Sequence, residues 1–124
     1  MFYHKETTEA IIGAAIEVHR NLGPGLLEST YEACMNYELN KTGMIVHRQL
    51  ALPVIYKDIK LNTGYRIDLM VENKVVIELK CVEEVTDIHQ AQLITYLKLS
   101  GCKVGLIINF NVKKMINGIQ RFVV

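Results

Sequence analysis

The stretch that most constrains the fold is Tyr65 to Cys81, YRIDLMVENKVVIELKC. It reads as two short strands joined by a tight turn, with Asp68 on the first and Glu78 and Lys80 on the second. Side chains alternate faces along a strand. Tyr65, Ile67, Leu69 and Val71 therefore share one face of the first strand, and Arg66, Asp68 and Met70 the other. Val75, Ile77, Leu79 and Cys81 share one face of the second strand, and Val76, Glu78 and Lys80 the other. A core face common to both strands needs an odd number of residues in the turn, and then Asp68, Glu78 and Lys80 project from one side. The three-residue loop Glu72-Asn73-Lys74 meets that condition and sets Asp68 opposite Glu78. A two-residue loop at Asn73-Lys74 would set Asp68 opposite Leu79 and mix the faces. Three-residue hairpin loops usually need one residue in the left-handed region, which Asn tolerates. Directly opposed residues have Cβ atoms roughly 4.5–5.5 Å apart. Two carboxylates that close repel and raise a pKa unless a cation lies between them. A hard divalent ion such as Mg²⁺ suits such a pair, because it takes oxygen ligands and keeps several waters.

The totals set bounds on the rest. A chain of 124 residues is long enough for one domain, residues 1–124, with a single core. No run of eighteen apolar residues is present, so no transmembrane helix is expected. The N-terminal MFYHKETTEA lacks the charged-then-apolar pattern of a signal peptide. Cys34, Cys81 and Cys102 are an odd, scattered set without C-x-x-C spacing. That spacing argues for reduced thiols, hence a cytoplasmic protein, and against a disulfide framework or a zinc site. The net charge of +1 and pI of about 7.7 do not advertise a nucleic-acid binder. Lys98, Lys103, Lys113, Lys114 and Arg121 are nonetheless available for a phosphate track, with a solvated surface as the plainer reading.

Along the chain, a first helix is expected from about Thr7 to Leu22, capped by Thr7 or Thr8 and stopped at Gly23-Pro24. A second should run from about Gly25 to Lys41 and carry Glu28, Tyr31, Glu32 and Met35 on one side. Glu32 reads equally well as a solvent-facing charge. Met44 to Tyr56 is a strand or bent pair of strands, at an edge or bulge because of Pro53. Ile59 to Leu61 adds a short strand, and Asn62-Thr63-Gly64 a turn. A third helix is expected from about Asp87 to Ser100, capped by Thr86-Asp87, with Ala91, Leu93, Ile94 and Leu97 as its core side. His89, Gln92 and Tyr96 lie on another side. Lys103 to Phe110 is a buried strand reached by a crossover, and Gly118 to Val124 an edge strand. The order gives an α/β sandwich with a mixed sheet flanked by helices.

An Asp followed about ten residues later by Glu-x-Lys on the adjacent strand resembles the pattern of the PD-(D/E)XK nuclease superfamily. Here the pattern stands as Asp68 and Glu78-Leu79-Lys80. Gln92 with Tyr96 four residues on resembles its exonuclease-like branch. Gly25-Leu26-Leu27-Glu28-Ser29-Thr30-Tyr31 resembles the motif of the GxxExxY family, as do QAQLITYLKLSG, VGLIINFN and GIQRFVV. Ile67 rather than Pro precedes Asp68, which removes nothing chemical.

The resemblance implies a restriction-endonuclease-like core and a nuclease that uses Mg²⁺ or Mn²⁺ on nucleic acid, DNA first. It implies Asp68, Glu78 and Glu28 as metal ligands, the Leu79 carbonyl as a further one, and Lys80 as the group that prepares the attacking water. It implies Gln92 as a partner of Lys80 or a phosphate oxygen, and Tyr96 and Tyr31 as substrate contacts. The small size suggests a homodimer or a partner protein that delivers substrate. A catalytically silent binding module is the rival expectation. Gly23-Pro24-Gly25 lacks the Lys and Ser/Thr of a P-loop, which argues against a nucleotide hydrolase.

Overall fold

Helix α1 (Lys5–Leu22) packs because Ile11, Ala14, Ala15 and Val18 recur at helical spacing and form one buried stripe. The computed structural model, which describes residues 2–124, starts this helix earlier than its threonines suggest. Neither Thr7 nor Thr8 caps it. Both are buried within it, and the Thr8 hydroxyl donates back to the His4 and Lys5 carbonyls. A threonine that finds carbonyls of its own first turn is released from the capping role. The Gly23 stop is as expected, its amide closing on the His19 carbonyl.

Helix α2 (Glu28–Lys41) begins later than expected and buries Tyr31, Glu32, Met35 and Leu39, leaving Leu27 exposed. The lead-in is fixed instead by Tyr31. Its hydroxyl donates to the Gly23 carbonyl at 2.6 Å and accepts the Leu26 amide at 3.2 Å. Glu28 thereby becomes the first helical residue.

Five strands form the main sheet: β1 (Val46–Ala51), β4 (Arg66–Val71), β5 (Val75–Lys80), β6 (Val104–Asn109) and β7 (Ile119–Val123), in the order β1-β4-β5-β6-β7. All neighbours run antiparallel except β5 and β6, which are parallel and joined through helix α3 (Asp87–Ser100). The sheet is therefore mixed and flanked by helices. The chain leaves β1 at Leu52-Pro53, as Pro requires, and forms a separate hairpin from β2 (Val54–Tyr56) and β3 (Ile59–Leu61). β7 lies at an edge.

Two apolar clusters sandwich the sheet. One joins Ile11, Val18, Tyr31 and Met35 of α1 and α2 to Leu69, Val71, Ile77 and Leu79. The other joins Leu93, Tyr96 and Leu97 of α3 to Ile67, Met70, Val76 and Ile107. The buried stripe of α3 is thus Leu93, Tyr96 and Leu97, whereas Ala91 is exposed and Ile94 half-buried. The shift follows from where the sheet meets the helix, at Gly105. A Cβ there would lie 2.8 Å from Leu93 Cδ1.

Candidate active site

The β4–β5 hairpin turns through Glu72-Asn73-Lys74, with Val71 paired to Val75. The three-residue loop is the one that the alternation demands. Two of its residues, Glu72 and Asn73, are left-handed rather than one, at φ 56 and 53. Glu72 is held there by Ile45: its amide donates to the Ile45 carbonyl and its carboxylate accepts the Ile45 amide, both at 2.8 Å.

From the turn, the backbone ladder runs through Met70–Val76 to Leu69–Ile77. One step further Asp68 stands opposite Glu78, and there side chains replace the ladder. The Asp68 amide donates to Glu78 Oε2 at 3.0 Å. The Leu79 amide donates to Asp68 Oδ2 at 2.9 Å. Each carboxylate thus holds the opposite strand, and the two strands fork.

The other side of β4 is interrupted at the same residue. β1 pairs Arg48 with Leu69 and Leu50 with Ile67, passing over Gln49 and Asp68. Gln49 is left-handed, φ 49. Strict alternation therefore fails at Asp68: Leu69 joins the cluster under α1 and α2, while Ile67 joins the cluster under α3. This corrects the expectation that Asp68, Glu78 and Lys80 simply share a face. Asp68 lines a cavity of about 300 Å³ with Leu79, Gln49 and the α2 residues Glu28, Ser29 and Glu32. Glu78 is buried, and its charge reaches Tyr96 on α3. The carboxylates meet across the fork.

Gln49 and Glu32 are the site residues that the sequence reading missed. The Gln49 amide donates both to Glu32 and to Asp68 Oδ1, the latter at 3.3 Å. Glu32 is buried and paired with the Arg48 guanidinium at 3.2 Å. Its i,i+4 spacing from Glu28 was the available signal, but only the kink at Gln49 brings its partners to it.

Burial pushes the Glu78 carboxyl up to about 8, the Asp68 charge adding to the rise, against the Asp68 amide and Lys80. Burial is also the main cause that raises Asp68, followed among the raising causes by the charges of Glu32 and Glu28, while the Leu79 amide and Gln49 oppose it. The pair is an oxygen-only donor set in which burial and mutual repulsion hold the carboxyls back from ionising, a cost that a hard divalent cation relieves, so the residues fit such an ion. Glu28 is exposed and lines the same cavity, but it does not complete a triad. Among the described residues no three His, Cys, Asp or Glu side chains converge as a metal site.

Lys80 is half-buried and its carbonyl accepts the Phe110 amide at 2.9 Å. Beyond it, the buried Asn109 clamps Val82, donating to its carbonyl at 2.9 Å and accepting its amide at 3.2 Å. Gln92 lies elsewhere, lining a second cavity with Tyr65 and Tyr96. His89 is spent on the capping box of α3 with Thr86. Tyr31 is fully buried, stacked on Phe110 at 4.2 Å. With no exposed surface and its hydroxyl committed, it is scaffold, and its expected role as a substrate contact is withdrawn. Of the basic residues, Arg121 lies over Phe2 and Lys103 over the adjacent Tyr3, while Lys114 borders α1.

The mixed five-stranded sheet flanked by helices, with Asp68 and Glu78 meeting at the fork of β4 and β5 and Lys80 two residues further along β5, has the layout of a PD-(D/E)XK core. A sequence-family model described as the PD-(D/E)XK nuclease superfamily matches residues 5–122, and the chain belongs to that superfamily. Its members are generally nucleases. No curated protein and no solved structure matches the chain.

Proposed function

We propose that this protein is a Mg²⁺- or Mn²⁺-dependent nuclease that hydrolyses phosphodiester bonds, with DNA as its first candidate substrate. The observation that carries the reading is the fork, where the buried Glu78 carboxyl and the half-buried Asp68 carboxyl face each other and Glu78 feels the positive charge of Lys80. Close carboxylates without a cation weaken a fold, so a pair meeting at an opened strand end favours a bound ion. Asp68, Glu78 and the Leu79 carbonyl would hold it, with Glu28 contributing through water from the cavity wall. Such an ion supplies Lewis acidity and lowers the pKa of bound water.

The chain's own residues do the rest. Lys80, two residues beyond Glu78 on β5, orients the attacking water and offsets charge on the transition state. Asn109 keeps the end of β5 in place beyond it. Gln49 holds Asp68 from the side of α2. The GxxExxY-like Gly25 to Tyr31 stretch fits as the segment that sets Glu28 at the start of α2, through the Tyr31 hydroxyl. Gln92 and Tyr96 serve the substrate from α3.

The test is titration calorimetry with Mg²⁺ and Mn²⁺ on the wild type and on Asp68→Ala/Glu78→Ala, with cleavage assays on single- and double-stranded DNA and RNA. Ion binding lost in the double variant, and cleavage lost in Lys80→Ala, is the expected result. A wild type that binds neither ion at millimolar concentration would overturn the reading and leave a silent binding module.

A further inference from the structure

A second cavity, of about 360 Å³, opens between α3 and the β2–β3 hairpin, lined by Val54, Tyr65, Gln92, Thr95, Tyr96 and Leu99. Its aromatic side is Tyr65 packed edge to face on Tyr96 at 6.3 Å, with Tyr96 buried beneath and Tyr65 the ring that reaches solvent. Tyr65 is nearly half exposed, 47%, so its ring is open to a ligand. Gln92 and Thr95 supply an amide and a hydroxyl on the rim.

The lining continues onto the hairpin. Val54 and Tyr56 alternate onto one face of β2, and the register sets Leu61 and Ile59 opposite them. Tyr56 and Ile59 on that face are more than half exposed. The Lys57 ammonium lies 5.4 Å from the centre of the Tyr56 ring. Arg66 follows Tyr65 directly, and its guanidinium donates to the Gln49 carbonyl at 3.2 Å, beside the fork. Exposed rings interleaved with cations are the surface that stacks successive bases and tracks a phosphate chain.

The cavity also adjoins the carboxylates. Tyr65 stands three residues before Asp68 on one chain, roughly 10 Å away at about 3.3 Å per residue. The charges of Glu78 and Asp68 are both felt at the Tyr96 phenol, which burial, above all, and then these charges raise.

We infer that the Tyr65–Tyr96 cleft is a subsite for an unpaired base, and that the β2–β3 hairpin carries the neighbouring bases of a single-stranded nucleic acid whose phosphate lies at the fork. This rests on the nuclease reading for the phosphate, and on the cleft itself for the base. A base inside a duplex is stacked on its neighbours and cannot also stack on the Tyr65 ring, so the site selects single strands, frayed ends or loops. Gln92 and Thr95 are positioned to meet a base edge, which gives Gln92 a role away from Lys80.

The test is fluorescence anisotropy with a labelled single-stranded oligonucleotide and its duplex in chelator, on wild type, Tyr65→Ala and Tyr65→Phe, with cleavage of both substrates in Mn²⁺. Wild type should prefer the single strand. Tyr65→Ala should weaken that binding about 10-fold or more, the scale of one lost base–aromatic stack, and Tyr65→Phe should retain it. Duplex bound as tightly as single strand, no binding of either, or Tyr65→Ala binding like wild type would each overturn the subsite. Tyrosine-dependent single-strand binding without cleavage would uphold the subsite and sink the nuclease reading. Cleavage indifferent to Tyr65 and to strandedness would do the reverse. Unchanged thermal stability in Tyr65→Ala separates lost stacking from lost folding.

Discussion

The two halves of the β4–β5 hairpin are built from the same two strands and behave oppositely. Near the turn, Val71, Met70 and Leu69 pair by backbone with Val75, Val76 and Ile77, and every one of these side chains is buried in an apolar cluster. At the far end the backbone pairing gives way, and Asp68 and Glu78 hold the strands by their carboxylates. A ladder closed by apolar neighbours is stabilising. A fork closed by two close carboxyls, Glu78 buried and Asp68 half-buried, is a liability in the unliganded fold and an asset once a cation arrives. The difference teaches that the site sits where the sheet gives up regular structure, and that the turn half is what tolerates it.

The largest contrast is expected from exchanging the damage. Glu78→Gln keeps an acceptor for the Asp68 amide but removes the charge. It should abolish cleavage and raise the melting temperature of the metal-free protein near pH 8, which paired assays and thermal melts will show. Ile77→Ala, one residue away and fully buried, should cost about 2–5 kcal/mol of stability while the folded fraction keeps its cleavage rate. If both variants lose activity and stability alike, the two halves are not separable.

The pH dependence sharpens the same contrast. Glu78 titrates near 4.5 when exposed and near about 8 in the fold. Between those values the folded state keeps a proton that the unfolded chain has released, so this contribution to stability is full below the lower value and is lost as pH rises through the upper one. Metal-free melts should therefore fall across that window. Added Mn²⁺ should restore more stability at about pH 8 than at about pH 5, because the ligands must lose their protons first. A melting temperature that rises with pH in Glu78→Gln and wild type alike would break the assignment to Glu78.

A smaller effect is expected from Gln49→Ala. It frees Glu32 and Asp68 from their shared amide but leaves Arg48 on Glu32. Ion affinity should weaken by about 10-fold, the lower end for an outer partner of a metal ligand, with stability little changed. The smallest belongs to the turn. Asn73 is left-handed, and Asn73→Gly should stabilise by at most about 1 kcal/mol in denaturant titrations without touching activity.

Much of this arrangement is legible in the residues. The strand alternation around Glu72-Asn73-Lys74 is local, so it gives the turn length and the opposition of Asp68 and Glu78 directly. The Thr86 cap of α3 is local too. What is not legible depends on distant contacts. Gln49 has no residue-type reason to be left-handed; its conformation is offset by the partners its amide finds on α2 and β4. Glu32 reads as a surface charge until Arg48 and Gln49 cover it. Tyr31 reads as half core and half site until Phe110 and the Gly23 carbonyl claim both its face and its hydroxyl.

The fork has one more consequence. The amides of Asp68 and Leu79 are bonded to carboxylates rather than to carbonyls. Their exchange with deuterated solvent is then governed by side-chain ionisation, whereas that of their neighbours toward the turn is governed by opening of the ladder. These two backbone positions are built-in reporters: their exchange rates, followed against pH and added ion, read the charge state of the fork from within the main chain.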